Sequence, residues 1–329
     1  MKRSIFHLSH TDISRDSRIL KELDVIKEKF HNYNIFIIGI KRKSSFNNIR
    51  LNLKGVKDLS VSLVTKKTFF FLPRAIIHLL NYIELFIKCL FKILNKKISI
   101  IHCHDHKVLP IGYIIKILFN CKLVYDAHEL ECLDKINQVK FSQRSKIVFF
   151  IEKLIWKKID LFITVSPSIL NWYKKKIGKK KNSVIILNSP KLNFPKKNKK
   201  ISLREELKIP DNDLIFLYVG GFQHGRGIFK MLDVFSKTIV KSNLVFVGYG
   251  ELENHIMKYS KKYKNIHLLK PVPHDILVKY ISSANVGLCL IEKVSLSDYF
   301  CLPNKFFEFA FANLYLISSN FPDMKKLVK

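Results

Sequence analysis

Acidic residues are scarce in this chain: 26 Asp+Glu stand against 58 Lys+Arg, a formal net charge of +32 over 329 residues. Solubility needs far less, so the deficit excludes a neutral surface and favours polyanionic partners, whether phosphorylated substrates, anionic lipid headgroups or nucleic acid. A bias toward Lys, Asn, Ile and Phe, as from an A+T-rich genome, would account for part of the charge without any partner. Cysteine is sparse too. Cys89, Cys103, Cys121, Cys132, Cys289 and Cys301 form no CxxC pair and no zinc-ligand spacing, which argues against a zinc ribbon or disulfide scaffold and for reduced thiols in a cytoplasmic protein. No signal peptide is visible, because the apolar run behind Met1-Lys-Arg is broken by His7 and His10. Neither a Walker loop nor a GxGxxG fingerprint occurs. No long apolar run is clean: Phe69 to Leu94 is crossed by Arg74, His78, Asn81, Glu84, Lys88 and Lys92 at steps of three or four. Such a polar stripe is costly inside a bilayer, but it suits a helix lying on a sheet or in a lipid interface.

What is present is apolar content for two cores, 48% of the chain, arranged as alternating short apolar runs and helix-period segments. Pro190 and Pro195 with the lysine run to Lys200 interrupt this alternation and predict a linker at 191–200 between domains at 1–190 and 201–329. In the first half, Ser4 to Leu8 reads as a strand ending in a polar loop, with a helix from about Ser17. Ligands of open parallel sheets bind beyond the carboxyl ends of strands, so Asp12, Arg15 and Arg18 stand where a substrate would be touched. The strand Ile98 to Cys103 runs into His102-Cys-His-Asp-His106, three alternate histidines on one strand face. That spacing is open to a metal reading and to a plain polar lining. The next strand ends in Tyr125-Asp-Ala-His-Glu129, which puts Asp126, His128 and Glu129 at another strand end. Ile147 to Ile159 reads as a basic helix carrying Phe149, Phe150 and Trp156, a second interfacial candidate.

In the second half, the strand Leu214 to Gly221 opens a loop with Gly220, Gly221, Gly225 and Gly227 around Arg226, where the backbone can approach a phosphate closely. Leu244 to Gly250 repeats strand plus glycine turn, through Gly248 and Gly250. Pro303 suits the first position of a helix. The first turn would offer unpaired N–H groups to an anion, and Asn304 and Glu308 share one face at i, i+4. A carboxylate one turn inside such a helix is placed to accept ribose hydroxyls, and phosphate with ribose means a nucleotide.

Leu302-Pro-Asn-Lys-Phe-Phe-Glu308 resembles the PNK-x-x-E helix of family-4 glycosyltransferases, which have the GT-B fold. The resemblance implies that Glu308 holds the ribose of a sugar nucleotide, beside Asn304 and Lys305. The family's motif has an earlier glutamate, which here falls on Phe300; Asp298 is a nearby carboxylate. Asp126-Ala-His-Glu129 is similar to the family's DxHE segment, implying that His128 reaches the donor sugar or reacting centre. The Gly220-to-Gly227 loop is similar to the family's "G…(K/R)G" loop, implying a diphosphate grip by Arg226, although the family's arginine after the first glycine is Gly221 here. Gly248 and Gly250 belong to the same donor side, and Lys270 to His274 would lie against the base through Val272. His104 matches a family His-x-His-Asp that binds no metal, and with Asp12, Arg15 and Arg18 it falls on the acceptor side.

The resemblance thus implies two Rossmann-like domains with parallel sheets facing across a cleft. It implies retaining transfer from a UDP- or GDP-sugar to a glycan or lipid-linked acceptor, as in surface polysaccharide synthesis. No metal or other cofactor is expected, because Arg226 and helix N-termini can neutralise the diphosphate. Nucleic acid is not expected as a partner; an anionic membrane surface is, with the protein peripheral on the inner face of the cell membrane. Family members continue for several elements beyond the equivalent of Ser318, so the second domain is expected to be C-terminally short. Two rivals stay open: a nucleotide-sugar epimerase of similar fold, for which paired cleft carboxylates are lacking, and a non-enzymatic polyanion or membrane binder.

Overall fold

The computed structural model describes residues 2–41, 55–69, 72–130, 143–189, 202–237, 241–272 and 274–328. The expected linker at 191–200 lies outside them. The chain forms two compact units, one reaching Ile186 and the other running from Leu187 to Lys329. Each is an α/β unit on a wholly parallel sheet.

The first unit holds strands β1 (Ser4–Ser9), β2 (Asn34–Ile38), β3 (Val56–Asp58), β4 (Ile98–His104), β5 (Lys122–Ala127), β6 (Leu161–Thr164) and β7 (Ser183–Ile185). Its helices are α1 (Ser17–Lys29), α2 (Thr65–Thr68), α3 (Arg74–Ile93), α4 (Leu109–Phe119), α5 (Gln143–Trp156) and α6 (Pro167–Lys176). The central strands β1, β2 and β5 are buried on both faces, as a sheet covered by helices on both sides demands, while the edge strand β3 is mostly exposed. Local signals punctuate the helices. Asp16 caps α1 by accepting from the N–H groups of Arg18 and Ile19, Ser166 and Pro167 open α6, and Asn120 ends α4 in the left-handed conformation.

The strand order is β3-β2-β1-β4-β5-β6-β7, so the chain works outward from β1 and then restarts at β4 on its other side. The gap between the ends of β1 and β4 is the switch point at which such sheets receive ligands. Register sets His7 beside His102, Ser9 beside His104, and His104 beside Asp126. Three polar strand ends therefore meet.

Helix α3 departs from the pattern expected of it. Among the described side chains of α3, only Leu85, Cys89 and Ile93 are buried. Part of the polar stripe turns toward the chain rather than toward water: Glu84 accepts from the N–H groups of Val64 and Thr65, and Lys88 donates to the carbonyl of Ser62. The stripe anchors the start of α2, and an apolar row is left outside. In α5 the expected interfacial residue Trp156 is instead buried, its ring stacked on Tyr173 at 5.4 Å.

The second unit contains β8 (Leu214–Gly221), β9 (Ser242–Tyr249), β10 (Ile266–Leu269), β11 (Val286–Cys289) and β12 (Tyr315–Ser318) in the order β10-β9-β8-β11-β12. Its helices are α7 (Leu203–Glu206), α8 (Ile228–Ser236), α9 (Glu253–Lys262), α10 (His274–Ser283), α11 (Leu296–Tyr299), α12 (Asn304–Phe311) and α13 (Pro322–Val328). The topology repeats that of the first unit, with its switch point between β8 and β11. Pro303 proves to be the residue before α12, with extended backbone (ψ 152°), so the helix begins one residue later than expected. What seats α12 on the sheet is Gly287 of β11: a Cβ there would stand 2.3 Å from the ring of Phe309, which is fully buried.

Gly287→Ala is accordingly expected to force Phe309 and α12 off the sheet. Overpacking of this kind costs about 1–3 kcal/mol, read as a lower urea midpoint. An unchanged midpoint would mean that α12 is held chiefly by other contacts.

Candidate functional site

The polar centre of the first unit follows from strand geometry. His7, His102, His104 and Asp126 project from one face of neighbouring strands, and α1 covers that face with Arg18 and Glu22. Arg18 Nη2 lies 2.5 Å from Asp126 Oδ1, and Arg18 Nε lies 3.4 Å from Glu22 Oε1. The other Asp126 oxygen faces His128 Nε2 at 3.1 Å and His104 Nδ1 at 3.4 Å. His104 Nε2 in turn meets His7 Nδ1 at 3.0 Å. A carboxylate can only accept, so it assigns the tautomers along the row. His104 donates from Nδ1 and accepts at Nε2, and His7 donates from Nδ1.

Burial, assisted by His104, holds His7 well below the usual histidine range; His102 and His104 are also lowered, chiefly by burial. These three rings are neutral. Asp126 is also wholly buried, which works against its charge, but the Arg18 guanidinium and the hydrogen bonds from His104 and His128 hold it well below the usual carboxylate range. His128 goes the other way. Burial opposes its charge, yet the hydrogen bond to Asp126 and the nearby Asp105 carboxylate raise it to about 9. Burial first, and then the Asp126 charge, push Glu22 up to about 8. The centre therefore presents one imidazolium, His128, at its edge.

His7, His102 and His104 bring ligand atoms within 4.8 Å of one another, as do Glu22, His102, His104 and Asp126. Part of this donor set is already engaged, while His7 Nε2, His102 Nε2 and Glu22 Oε2 have no hydrogen-bond partner. His104 is engaged at both ring nitrogens, Asp126 at both oxygens, and Arg18 already lies against both carboxylates.

Several expectations change here. Arg18 and His104, expected on the acceptor side, are buried inside the unit and serve Asp126. His106 leaves the strand face, since β4 ends at His104 and a 3-10 turn starts at His106; His7 takes its place beside His102. Asp12 caps the turn after β1, accepting from the N–H and hydroxyl of Ser14, and the side chain of Arg15 lies outside the described ones. His7, Glu22 and Asp105 were given no site role from the sequence, although Glu22 stood four residues after Arg18, one helical turn away.

In the second unit, β8 and β9 end together, with Gly220 beside Gly248. A Cβ on Gly248 would lie 2.0 Å from the carbonyl oxygen of Gly220, so this glycine lets two strand ends close on each other. Gly250 likewise packs against the backbone of Phe222. Arg226 Nη1 bonds Asp298 Oδ1 at 3.1 Å, and Ser295 donates its hydroxyl to the other oxygen of Asp298 at 2.8 Å. Asp298 thus faces the cation of the glycine loop. Lys305 sets its ammonium 3.8 Å from the centroid of the Tyr218 ring, and burial lowers it to about 8. Asn304 Oδ1 is buried without a hydrogen-bond partner, while Glu308, one turn on, is half-buried. Val272 packs its side chain against the core that includes Val245 and Val247, which leaves only its main chain for a ligand.

Residues 54–189 match the profile of the family described as Glycosyltransferase Family 4. No curated protein sequence matches the chain. Among solved structures it is similar to sucrose-phosphate synthase from Thermosynechococcus elongatus, with TM-score 0.76 and 18% identity over 100% of this chain and 84% of that one. It is similar to HepE from Anabaena in complex with UDP, with TM-score 0.69 and 13% identity over 100% and 83%. A putative UDP-N-acetylglucosamine 2-epimerase from Listeria monocytogenes gives TM-score 0.56 and 9% identity over 88% and 74%. The fold is that of the GT-B glycosyltransferases.

The charge states predict a stability maximum near the ordinary histidine pKa of 6.5. Below it, His7, His102 and His104 refuse protons that the unfolded chain takes up, so stability falls with pH, offset in part by Glu22. Above it, His128 has a raised folded pKa, and its contribution fades as pH rises through about 9. Glu22 works in the same direction up to about 8. Urea unfolding across this range checks the shape; a curve flat from about pH 7 to about pH 5 would contradict the neutral-histidine assignment.

Proposed function

We propose, for a chain of GT-B fold whose residues 54–189 match family-4 glycosyltransferases, that it transfers a sugar from a nucleotide-sugar donor to a glycan or lipid-linked acceptor with retention. The observation that carries this reading is the switch point of the second unit. There Arg226 and Lys305 bring two cations to a glycine turn, and Lys305 is depleted of solvation, a state that an anion relieves. On the same helix Asn304 presents its orphaned acceptor. The diphosphate would sit on Arg226 and Lys305, with the ribose hydroxyls on Glu308. The UDP complexes of HepE favour a uridine nucleotide over a guanosine one. In the transfer, the bond from the anomeric carbon to the phosphate oxygen breaks with its electron pair going to the diphosphate. The acceptor oxygen bonds to the same face, and its proton passes to the leaving phosphate. Arg226 and Lys305 stabilise the charge that grows there; the role of His128 toward the donor sugar is carried over from its resemblance to the family's histidine.

Thermal-shift measurements with UDP-, GDP- and ADP-sugars test donor binding, since a ligand of the native state raises its stability. UDP-sugars are expected to give the largest shift. Glu308→Gln should weaken nucleoside diphosphate by about 1.5–3 kcal/mol, the worth of a charged hydrogen bond, and so raise KM. Arg226→Ala should mainly lower kcat. No shift with any nucleotide would favour the polyanion binder, whose affinity would collapse with salt; epimerised donor without transfer would favour the epimerase.

We also propose peripheral attachment to an anionic membrane, at the inner face of the cell membrane. Among the described residues no helix is long and apolar enough to cross a bilayer. Instead, Ile76, Leu79, Ile83, Ile87 and Phe91 form an exposed apolar row along α3, with Phe91 74% exposed. Ile147, Phe150 and Leu154 do the same on α5. Apolar rows on a chain of charge +32 match a surface that is apolar beneath and anionic above. Sedimentation should show binding to anionic vesicles that salt releases, and its loss in the Leu79→Glu, Phe91→Glu double variant. Equal binding to neutral vesicles would remove the electrostatic part of the proposal.

A further inference from the structure

Asp105 occupies backbone territory that belongs to glycine. It closes β4 at φ 72°, ψ 160°, a region that residues with a Cβ all but avoid. Its N–H donates to the carbonyl of Asp126 at 3.0 Å, which any residue could do. Glycine would make that bond without strain. What glycine would not supply is the carboxylate, and Asp105 Oδ1 lies 3.5 Å from Nδ1 of His128. On the opposite nitrogen of that ring, Asp126 Oδ2 lies 3.1 Å from Nε2.

We propose that Asp105 is a positioning residue for His128: together with Asp126 it brackets the imidazole with one carboxylate on each ring nitrogen, fixing its orientation and keeping both nitrogens protonated. The inference rests on the reading of His128 as the group that serves the donor sugar. A neutral imidazole can donate from only one nitrogen; Asp126 takes the hydrogen bond at Nε2, and the Asp105 carboxylate, 3.5 Å from Nδ1 and acting through its charge rather than a hydrogen bond, favours the second proton. The shorter Asp126 contact anchors the ring. The longer Asp105 contact is the one that a substrate oxygen can replace, which leaves the Nδ1–H available to such an oxygen. The other groups facing His128 do not supply this bracket. His104 of β4 is neutral, Arg18 of α1 opposes a second cation, and Glu22 of α1, although it interacts with His128 directly, is itself pushed up to about 8 by burial and by the Asp126 charge. On its far side Asp105 Oδ2 stands 3.9 Å from His10 Nδ1, and Lys107 contacts the other nitrogen of that ring at 3.0 Å.

The test uses the full chain with isotope-labelled histidine, the His128 signal being assigned by its loss in His128→Gln. Ring titration is compared in wild type, Asp105→Asn and Asp105→Gly. Both substitutions should lower the His128 midpoint by about one pH unit or more, the effect of removing a neighbouring opposite charge. With a nucleotide-sugar donor, kcat should fall on the order of tenfold and its alkaline limb should move to lower pH, while the donor KM stays within about twofold. Asp105→Gly should melt at or above the wild-type temperature, because glycine relieves the backbone. An unmoved His128 midpoint in both variants overturns the proposal, as does a lower melting temperature in Asp105→Gly with the midpoint unmoved, the mark of a merely structural aspartate. A midpoint that moves in a protein transferring no sugar supports the bracket and places the failure in the functional reading alone.

Discussion

The buried pair of Arg18 and Asp126 is the interaction on which the first unit depends. Neither ion would be tolerated alone beneath α1, and removing one partner of such a pair is far more costly than the pair's net contribution suggests. The pair ties α1 to the middle of the sheet. It also keeps Asp126 ionised in an apolar interior, and that single fact propagates. An ionised Asp126 orients His104, His104 orients His7, and the same carboxylate charges His128. One ion pair therefore sorts four histidines into three neutral rings packed inside and one cation at the edge.

The second unit repeats the topology and solves a different problem. Its strand ends are cleared of side chains, so the close approach of Gly220 and Gly248 leaves backbone and two basic side chains near the switch point. Arg226 is answered by Asp298 and Lys305 rests on the Tyr218 ring; neither has the full solvation of a surface cation. Helix α12 owes its place to the missing Cβ of Gly287, which admits the Phe309 ring. A packing requirement in the core thus decides where Asn304, Lys305 and Glu308 stand. The outer face of α3 shows the converse. Once Glu84 and Lys88 are used to hold the start of α2, the apolar row opposite them has no covering element of its own.

Much of the fold was legible from the chain. Continuous apolar runs marked the strands, and the residues found capping helices, Asp16, Ser166 and Asn120, are of types that favour those positions, so local propensity and global fold agree there. The glycine loop and the helix after Leu302 were legible too, because both are contiguous in sequence and their chemistry follows from short spacing. Errors occurred where one residue's neighbours come from elsewhere. Three alternate histidines suggested one face, but the backbone reversal at Asp105 takes His106 away and register supplies His7, whose partner His104 is 97 residues distant. Trp156 was misjudged for the same reason: a helical pattern shows that two faces differ, not which one is inward.

The amino-acid sequence by itself determined the elements, their alternation, the basic excess and the residue types available at each strand end, since these follow from local sterics, period and composition. Only the tertiary structure decided which of those residues meet. Parallel register aligned β1, β4 and β5, burial then removed the charge from three histidines, and two carboxylates, Asp126 on β5 and Asp105 just after β4, restored it to His128. Charge in a low-dielectric interior depends on neighbours within a few ångströms, and in a parallel sheet those neighbours are distant in the chain.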